Sequence, residues 1–198
     1  DSKGVSVGFN ISNFENEEKE KKWLDSVTTV RGKLSEKEVF LPDSKHITAQ
    51  FLIDNVDRAF EARQKSPFCK NLSEADFYEY LLPYRVNTEK LESWRNSVLN
   101  DFSKTQKDSI YSFTTVLAAA NYVDIIYQKR FDFGGNRYFK QKNVRSYSEL
   151  LRDKAGKCDD MCNLVVFALR ALGIPSGFDG MRYKRASNDV GHQWVFVL

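Results

Sequence analysis

The feature that most constrains this chain is a nearly all-apolar helix near its C-terminus, in the run CDDMCNLVVFALRAL at residues 158–172. Apolar residues recur there at helical spacing from Met161 onward, and Val166 and Phe167 extend the apolar surface beyond one stripe. A helix that is apolar on nearly all sides must be covered on several sides, so we expect it at the centre of the core. Gly173 follows the last apolar residue and predicts the end of the helix.

The composition is that of an ordinary globular domain. The chain has 198 residues, of which 41% are hydrophobic and 29% charged, which is enough for one substantial core. Its net charge of +3 is small, and basic residues are interspersed with acidic ones, as in ENEEKEKK, so we expect no nucleic-acid partner. No run of about 18 apolar residues predicts a membrane span. Three cysteines are too few for a disulfide framework.

Apolar spacing predicts a mostly helical chain up to about residue 130. The predicted elements are a strand at residues 5–11 and helices at residues 16–30, 45–63, 73–82, 87–102 and 109–130. Ser73 with Asp76 begins one of these helices and Pro83 stops it, while Asn87 or Thr88 is the predicted cap of the next. The residues expected to face inward from the helix at 45–63 are Ile47, Phe51, Val56 and Phe60.

After residue 130 the pattern becomes α+β. Residues 130–145 contain a Gly-Gly turn between aromatic residues and predict a loop or hairpin, followed by a short helix capped by Ser146 or Ser148. Behind the apolar helix, residues 175–183 and 191–198 predict two strands joined by a loop at 184–190. The residues that share one face of the last strand are His192, Trp194, Phe196 and Leu198.

We therefore expect an α+β fold in which the cysteine-bearing helix packs on a small antiparallel sheet, preceded by a mostly helical region. The predicted division is residues 1–130 for the helical region and residues 131–198 for the core. Two C-terminal strands make a poor sheet by themselves. Either the strand at residues 5–11 joins them, or the chain is a piece of a longer protein with an incomplete core, which is the interpretation we favour.

The apolar helix begins with two cysteines, Cys158 and Cys162, whose role the local sequence leaves open. In the first turn of a helix, unpaired N–H groups favour a thiolate at Cys158, while the charges of Asp159 and Asp160 oppose it. Packing as a small apolar residue is the common role of a helical cysteine and suits Cys162 in particular. A CxxC redox motif is absent, and CxxxC without a second cysteine pair is a weak zinc pattern, even with Asp160 and His192 as further ligands.

The chain has two histidines. His46 stands next to Lys45 at the start of a predicted helix and is expected at the surface. His192 opens the last predicted strand, behind a glycine. A cysteine at a helix start that is followed by a strand histidine is a chain order able to bring thiol and imidazole together.

At this point the sequence resembles the core of the transglutaminase-like superfamily. Its pattern is Gly-x-Cys at a helix start, an aspartate two residues later, small and apolar residues at four and six, an Arg-Ala-x-Gly-Ile-Pro exit and a strand that begins His-x-Trp. The matching residues here are Gly156, Cys158, Asp160, Cys162, Leu164, residues 170–175, His192 and Trp194.

The resemblance implies a catalytic pair. Cys158 would be the nucleophile, His192 the general base and acid, and the backbone N–H of Cys158 one oxyanion donor. Residues of the loop before the helix would supply a second donor, for which Gln141, Tyr138 and Asn136 are candidates. An aspartate on the strand after the histidine orients the imidazole in this superfamily and is expected beyond Leu198, since Asp179 and Asp189 lie on the wrong segments. No cofactor and no metal are implied.

The upstream residues 46–63 and 76–95 resemble the helical part of large, mostly uncharacterised transglutaminase-like proteins of gut anaerobic bacteria, several of them predicted lipoproteins of the cell envelope. This resemblance implies an envelope location, with contact to the membrane only through a lipid anchor that is removed from this sequence. Because no DxDxDG calcium loop occurs, we expect hydrolysis of a peptide or other amide-containing substrate rather than protein cross-linking. The alternative is a non-catalytic envelope module that binds glycan, peptide or a protein partner through the aromatic loop FDFGGNRYF.

Overall fold

The computed structural model describes residues 43–133, 144–185 and 188–198, without the side chains of residue 44 and residues 182–190. The predicted strand at residues 5–11 and the predicted helix at residues 16–30 lie outside these ranges. Helices and two small sheets make up the described part, and this mixture confirms the predicted α+β class. Among the described residues, no helix combines the length and the hydrophobicity that crossing a membrane requires.

The described helices are α1 Ala49–Lys65, α2 Glu74–Tyr80, α3 Trp94–Asp101, α4 Lys104–Ser112, α5 Val116–Gln128, α6 Tyr147–Asp153 and α7 Cys158–Ala171, with 3-10 turns at Asp43–Lys45 and Pro67–Cys69. The strands are β1 Asp132–Phe133, β2 Ala155–Gly156, β3 Ser176–Arg185 and β4 Asn188–Val197. Polar caps start most of these helices. Ser73 accepts from Asp76 N at the start of α2, and Ser146 forms a capping box at the start of α6, so both predicted caps are confirmed.

The start of α3 was predicted wrongly. The helix begins at Trp94, several residues after the expected cap at Asn87 or Thr88. The intervening segment is held by Glu89, whose buried carboxylate accepts from Val86 N at 2.8 Å and Asn87 N at 2.7 Å. These N–H groups are satisfied by a side chain from within the segment, so a helical turn is not needed there. Burial raises the pKa of Glu89, although the backbone donors act in the opposite direction.

The predicted five-turn helix at residues 109–130 is also wrong. The segment contains the end of α4 and the whole of α5, separated at residues 113–115. Ser103 starts α4 with a capping box to Gln106, and Thr115 starts α5 by accepting from Ala118 N at 3.2 Å. Apolar periodicity continues across the break because both helices cover the same core, so periodicity alone does not show it.

Helix α1 is confirmed, and of the four residues predicted to face inward Ile47 and Phe51 are half-buried, whereas Val56 and Phe60 are exposed. Val56 and Phe60 are 38% and 40% exposed, and the buried residues of α1 are Ala59 and Ala62. The reason is a close approach to the end of α7. A Cβ on Gly173 would lie 2.5 Å from the carbonyl oxygen of Ala62, so only small residues fit between these two helices.

Helix α7 is central, as predicted. Every residue from 162 to 171 is buried. It packs against α1, α3, α5, α6 and both strands of the β3–β4 hairpin. The helices before residue 130 contribute Trp94, Val98 and Val123 to the same core cluster as α7. Gly173 ends the helix with a φ of 72°, as the sequence predicts.

Two small sheets flank α7. Parallel pairing of β1 with β2 joins Asp132 to Ala155 and so brings the end of α5 beside the start of α7. Strands β3 and β4 form an antiparallel hairpin, which confirms the two predicted strands. They are longer than predicted, since Arg185 pairs with Asn188 and ladder pairing therefore occupies most of the predicted loop at residues 184–190.

A buried arginine, Arg95, connects four segments of the fold by hydrogen bonds. Arg95 of α3 donates to Asn55 Oδ1 of α1 at 2.9 Å, to Arg170 O of α7 at 3.2 Å and to the carbonyl groups of residues 81–83. No carboxylate of the described residues forms an ion pair with it. Burial, and then the charge of Arg170, lower the pKa of Arg95 to about 9.

Candidate active site

Cys158 is the first residue of α7. It follows Lys157, which has an extended backbone as the N-cap, so the thiol stands at the end of the helix where N–H groups have no intrahelical acceptor. Its side chain is half-buried and free of any disulfide. This position combines access to a reactant with the positive end of the helix dipole.

The charge of Asp159, beside the thiol, is balanced by a neighbouring cation. Lys157 Nζ lies 3.3 Å from Asp159 Oδ2, and both side chains are mostly covered. The other carboxylate oxygen accepts from Asp160 N at 3.1 Å. From the sequence, the charge of Asp159 is expected to oppose a thiolate at Cys158, but the ion pair with Lys157 offsets much of that effect.

Asp160 is fully buried and is bound to Arg145. Its carboxylate accepts from Arg145 N at 3.0 Å, from Arg145 Nη2 at 2.9 Å and from Lys157 N at 3.2 Å. Arg145 also pairs with Asp153 of α6 at 3.0 Å. Burial acts to lower the pKa of Arg145, but its bonds to Asp160 and then Asp153 outweigh burial and leave the pKa raised.

Asp160 therefore joins the segment before α6 to the residue before Cys158, and its negative charge is paired. Sequence reasoning missed both cations of this network. The available indications were Lys157, directly before the cysteine, and Arg145, directly before the cap Ser146. Neither residue forms part of a spacing pattern, which explains why periodicity did not single them out.

Gly156 is required by this network. A Cβ there would lie 2.6 Å from Asp160 Cβ and 2.8 Å from Arg145 Nη2. In folded proteins a Cβ atom does not come this close to other heavy atoms. The glycine before the cysteine thus leaves the space in which Asp160 and Arg145 meet.

The other two thiols are less suited to chemistry. Cys162 is 6% exposed, and burial, followed by the charges of Cys158 and Asp159, raises its pKa to about 12. Cys69 is buried near the opposite end of α7, where its thiol donates to Gly173 O at 3.1 Å, and burial raises its pKa. Among the three cysteines, Cys158 alone is partly exposed.

The topology brings His192 to the level of Cys158. Helix α7 has 14 residues and rises about 1.5 Å per residue, so it spans about 20 Å. The chain doubles back through β3 at about 3.3 Å per residue, so about six residues return it to that level. Six residues into β3 stands Met181, whose cross-strand partner is His192, so chain length alone leads us to expect His192 near that level.

The ring of His192, however, lies on the face of the hairpin away from α7. Val195 and Val197 pack on the core, and strand alternation puts His192 and Trp194 on the opposite face. His192 is exposed, and its ring centroid lies 6.4 Å from that of Trp194. Within the residues that the structure describes, no hydrogen bond joins His192 to Cys158, so their catalytic pairing stays a prediction.

A comparison with known protein families shows to which superfamily the chain belongs. The family model of the transglutaminase-like superfamily matches residues 96–198, more than half of the chain. The chain belongs to the transglutaminase-like superfamily. No curated protein matches it.

The superfamily region covers most of α3 and the elements from α4 to β4, and it contains α7 together with Arg145 and Asp153, which pair at its start. It begins inside α3, ahead of the predicted division between residues 130 and 131, which stays a prediction. The helical segments α1 and α2 precede the matched region.

The structure describes only some of the remaining candidate residues of the transglutaminase-like site. Gln141, Tyr138 and Asn136, the candidate oxyanion donors, lie outside the described residues. Asp179 is exposed and accepts from Gly180 N at 2.7 Å. It shares the face of His192 and stands opposite Trp194, two ladder positions from the Met181–His192 pair, which strand order in the sequence did not reveal.

The described residues show no cluster of metal-ligating side chains, and a cleft that these residues form lies away from Cys158. Across the described ranges, no three side chains of His, Cys, Asp or Glu come together as metal ligands. A cleft of about 290 Å³ lies instead between α1 and α4, where Arg58, Lys65 and Lys107 are among the residues that line it.

Proposed function

We propose that this transglutaminase-like protein is a thiol enzyme that hydrolyses a peptide or other amide bond through an acyl-thioester on Cys158. The observation that carries the proposal is the position of Cys158. It is a half-buried thiol at the first residue of the central helix, in a chain of this superfamily, while the other two thiols are buried.

The chemistry would follow from that position. The thiolate of Cys158 attacks the carbonyl carbon of the amide, and the negative oxygen that forms is stabilised by N–H groups at the start of α7. The C–N bond then breaks, the leaving amine takes a proton from a general acid, and a thioester remains on Cys158. Water attacks the thioester with the help of a general base, which releases the acid and restores the thiol; the resemblance assigns both proton transfers to His192.

Reactivity of the thiol is the first test. We expect iodoacetamide to label Cys158 much faster than Cys69 or Cys162 in the folded chain, because alkylation requires an accessible thiolate. Trypsin separates Cys69, in the peptide of residues 66–70, from the other two, in the peptide of residues 158–170, and fragmentation of the latter distinguishes Cys158 from Cys162. Equal, slow labelling of all three cysteines contradicts a catalytic thiol and favours a non-catalytic binding module.

The role of His192 needs a separate test, because its ring lies away from α7. If His192 supports the thiolate, His192→Ala lowers the rate at which Cys158 is labelled at neutral pH by about tenfold or more. Trp194→Ala, on the same strand and face, serves as the matched control. An unchanged rate in His192→Ala would exclude His192 as the base while leaving Cys158 as the nucleophile.

The resemblance of residues 46–63 and 76–95 to envelope proteins supports a location for this activity. We propose that the protein acts at a bacterial cell envelope, on a peptide or other amide-bearing substrate. Fractionation of the source cells, with an antibody against this chain, is expected to place it with the envelope. Recovery in the cytosolic fraction alone contradicts this location without bearing on the chemistry of Cys158.

A further inference from the structure

The two cysteines at the start of α7 are close enough to act on each other. Cys158 and Cys162 are one helical turn apart and therefore lie on the same face, with Cβ atoms about 5–6 Å from each other. Cys158 is half-buried and Cys162 is buried directly behind it, and neither takes part in a disulfide. The charge of Cys158 is among the causes that raise the pKa of Cys162, which identifies the two thiols as electrostatic neighbours.

Cys69 lies too far from Cys158 to form a disulfide with it. Cys69 donates its thiol to Gly173 O, beyond the far end of α7. That end lies about 20 Å from Cys158, since α7 has 14 residues and rises about 1.5 Å per residue. Any disulfide formed within one folded molecule must therefore join Cys158 to Cys162.

We propose that Cys162 is a resolving thiol, which closes a reversible disulfide with Cys158 after a hydroperoxide has oxidised Cys158. The disulfide occupies the nucleophile and so switches the enzyme off until a thiol reductant opens it. This inference rests on the proposed function, because it needs Cys158 to be the reactive thiol.

The chemistry balances with hydrogen peroxide, or another hydroperoxide, as the oxidant. The sulfur of Cys158 attacks the terminal peroxide oxygen, the O–O bond breaks, and water or an alcohol leaves while Cys158 becomes a sulfenic acid. The sulfur of Cys162 then attacks the sulfenic sulfur, its proton leaves with the hydroxyl group as water, and the S–S bond forms. The two thiols together lose two electrons, which the peroxide accepts.

The position of Cys158 makes the closure feasible. A disulfide needs Cβ atoms about 3.5–4.5 Å apart, so the two residues have to approach by about 1–2 Å. Cys158 is the first helical residue, and its N–H has no intrahelical acceptor, so the movement falls on Cys158 itself while Asp160 stays bound to Arg145 and Lys157 N. Some strain remains, and strained disulfides are reduced readily, which suits a reversible switch.

A buried partner also protects the nucleophile. A sulfenic acid that meets no thiol is oxidised further to sulfinic acid, which thiol reductants do not reverse. Since Cys162 lies one turn behind Cys158 and is shielded from bulk solvent, it meets the sulfenic acid before it is itself oxidised.

Mass spectrometry of the peroxide-treated chain tests the proposal. Trypsin releases both thiols in the one peptide of residues 158–170, so the disulfide appears as a loss of two hydrogens that dithiothreitol reverses. Oxidation of Met161, in the same peptide, adds oxygen and is therefore distinguished. We expect this disulfide as the main product at modest peroxide, with Cys69 still reduced.

The variants Cys162→Ala and Cys69→Ala form a matched pair. In Cys162→Ala we expect sulfinic acid at Cys158 and loss of recovery of iodoacetamide labelling after reduction, while Cys69→Ala behaves as the unaltered chain. If peroxide oxidises the unaltered chain without forming a disulfide between Cys158 and Cys162, the proposal is wrong. This measurement does not depend on the folding of any variant. If Cys158 is labelled rapidly but no disulfide forms, the redox inference alone fails. If Cys158 is not labelled faster than the other cysteines, the proposed function fails with it.

Discussion

At the scale of single residues, Asp160 is the side chain that most directly organises the candidate site. It is fully buried, and both of its carboxylate oxygens accept hydrogen bonds, from Arg145 N and Nη2 and from Lys157 N. Its aspartate neighbour Asp159 is also paired, with Lys157, but that pair keeps some exposure to solvent. Two adjacent carboxylates thus differ in how much the fold depends on their charge.

We expect Asp160→Asn to destabilise the chain by about 3 kcal/mol, because it leaves the buried Arg145 without its main counter-charge. The amide also turns a donor either toward Arg145 N or toward both Arg145 Nη2 and Lys157 N. Asp159→Asn is the matched control and is expected to change stability by about 1 kcal/mol or less, since its pair is partly exposed. Urea unfolding followed by circular dichroism measures both, and similar effects for the two variants would show that Asp160 has no special structural role.

At the scale of elements, α6 and α7 each end at a residue with a left-handed backbone, so one such residue lies before α7 and one lies after it. Gly173 closes α7 with a φ of 72°, and Lys154 closes α6 with a φ of 50°. The two ends have different surroundings. Gly173 contacts the backbone of α1 so closely that no Cβ fits, whereas Lys154 is exposed.

Gly173→Ala is expected to destabilise the chain by at least about 2 kcal/mol, because a left-handed alanine is strained and its Cβ meets Ala62 O. Lys154→Gly places the preferred residue in the same backbone conformation and is expected to leave stability unchanged or to raise it by up to about 1 kcal/mol. Thermal or urea unfolding compares the two variants. A clear loss of stability in Lys154→Gly would contradict the backbone explanation.

At the scale of the whole molecule, Arg95 links α1 and residues 81–83 to α7. Its guanidinium, buried in α3, bonds to Asn55 of α1, to Arg170 of α7 and to the carbonyl groups of residues 81–83. Planar geometry and five N–H donors allow one side chain to satisfy this many acceptors. A lysine ammonium has three donors on a single nitrogen and cannot span them.

We therefore expect Arg95→Lys to lower the free energy of unfolding by about 3 kcal/mol, because buried carbonyl groups lose their donors. Arg58→Lys, which alters an exposed pair with Glu61 on α1, is expected to change it by less than about 0.5 kcal/mol. Denaturant unfolding with both far-ultraviolet and tryptophan fluorescence readouts measures the effect. Equal stabilities for the two variants would mean that Arg95 does not link these segments energetically.

Local sequence was sufficient where one short-range cause dominates. Ser73 and Ser146 cap α2 and α6 as predicted, and Gly173 ends α7 as predicted. Local sequence was insufficient where a long-range contact competes. The exposure of Val56 and Phe60 follows from the close packing of α1 on Gly173. The late start of α3 has a local cause that periodicity does not show, because the Glu89 carboxylate replaces helical hydrogen bonds at Val86 N and Asn87 N.

By itself, the sequence determined that α7 is central, that Cys158 stands at its start and that two strands follow, because periodicity, caps and turns act over a few residues. Tertiary structure alone decided that Lys157 and Arg145 balance the charges of Asp159 and Asp160, and that the ring of His192 lies on the far face of β4. The Arg145–Asp160 pair depends on the distance between two separate segments, the Lys157–Asp159 pair depends on the conformation of the chain at the helix start, and the orientation of a strand depends on which face the core covers. Neither quantity is contained in residue spacing.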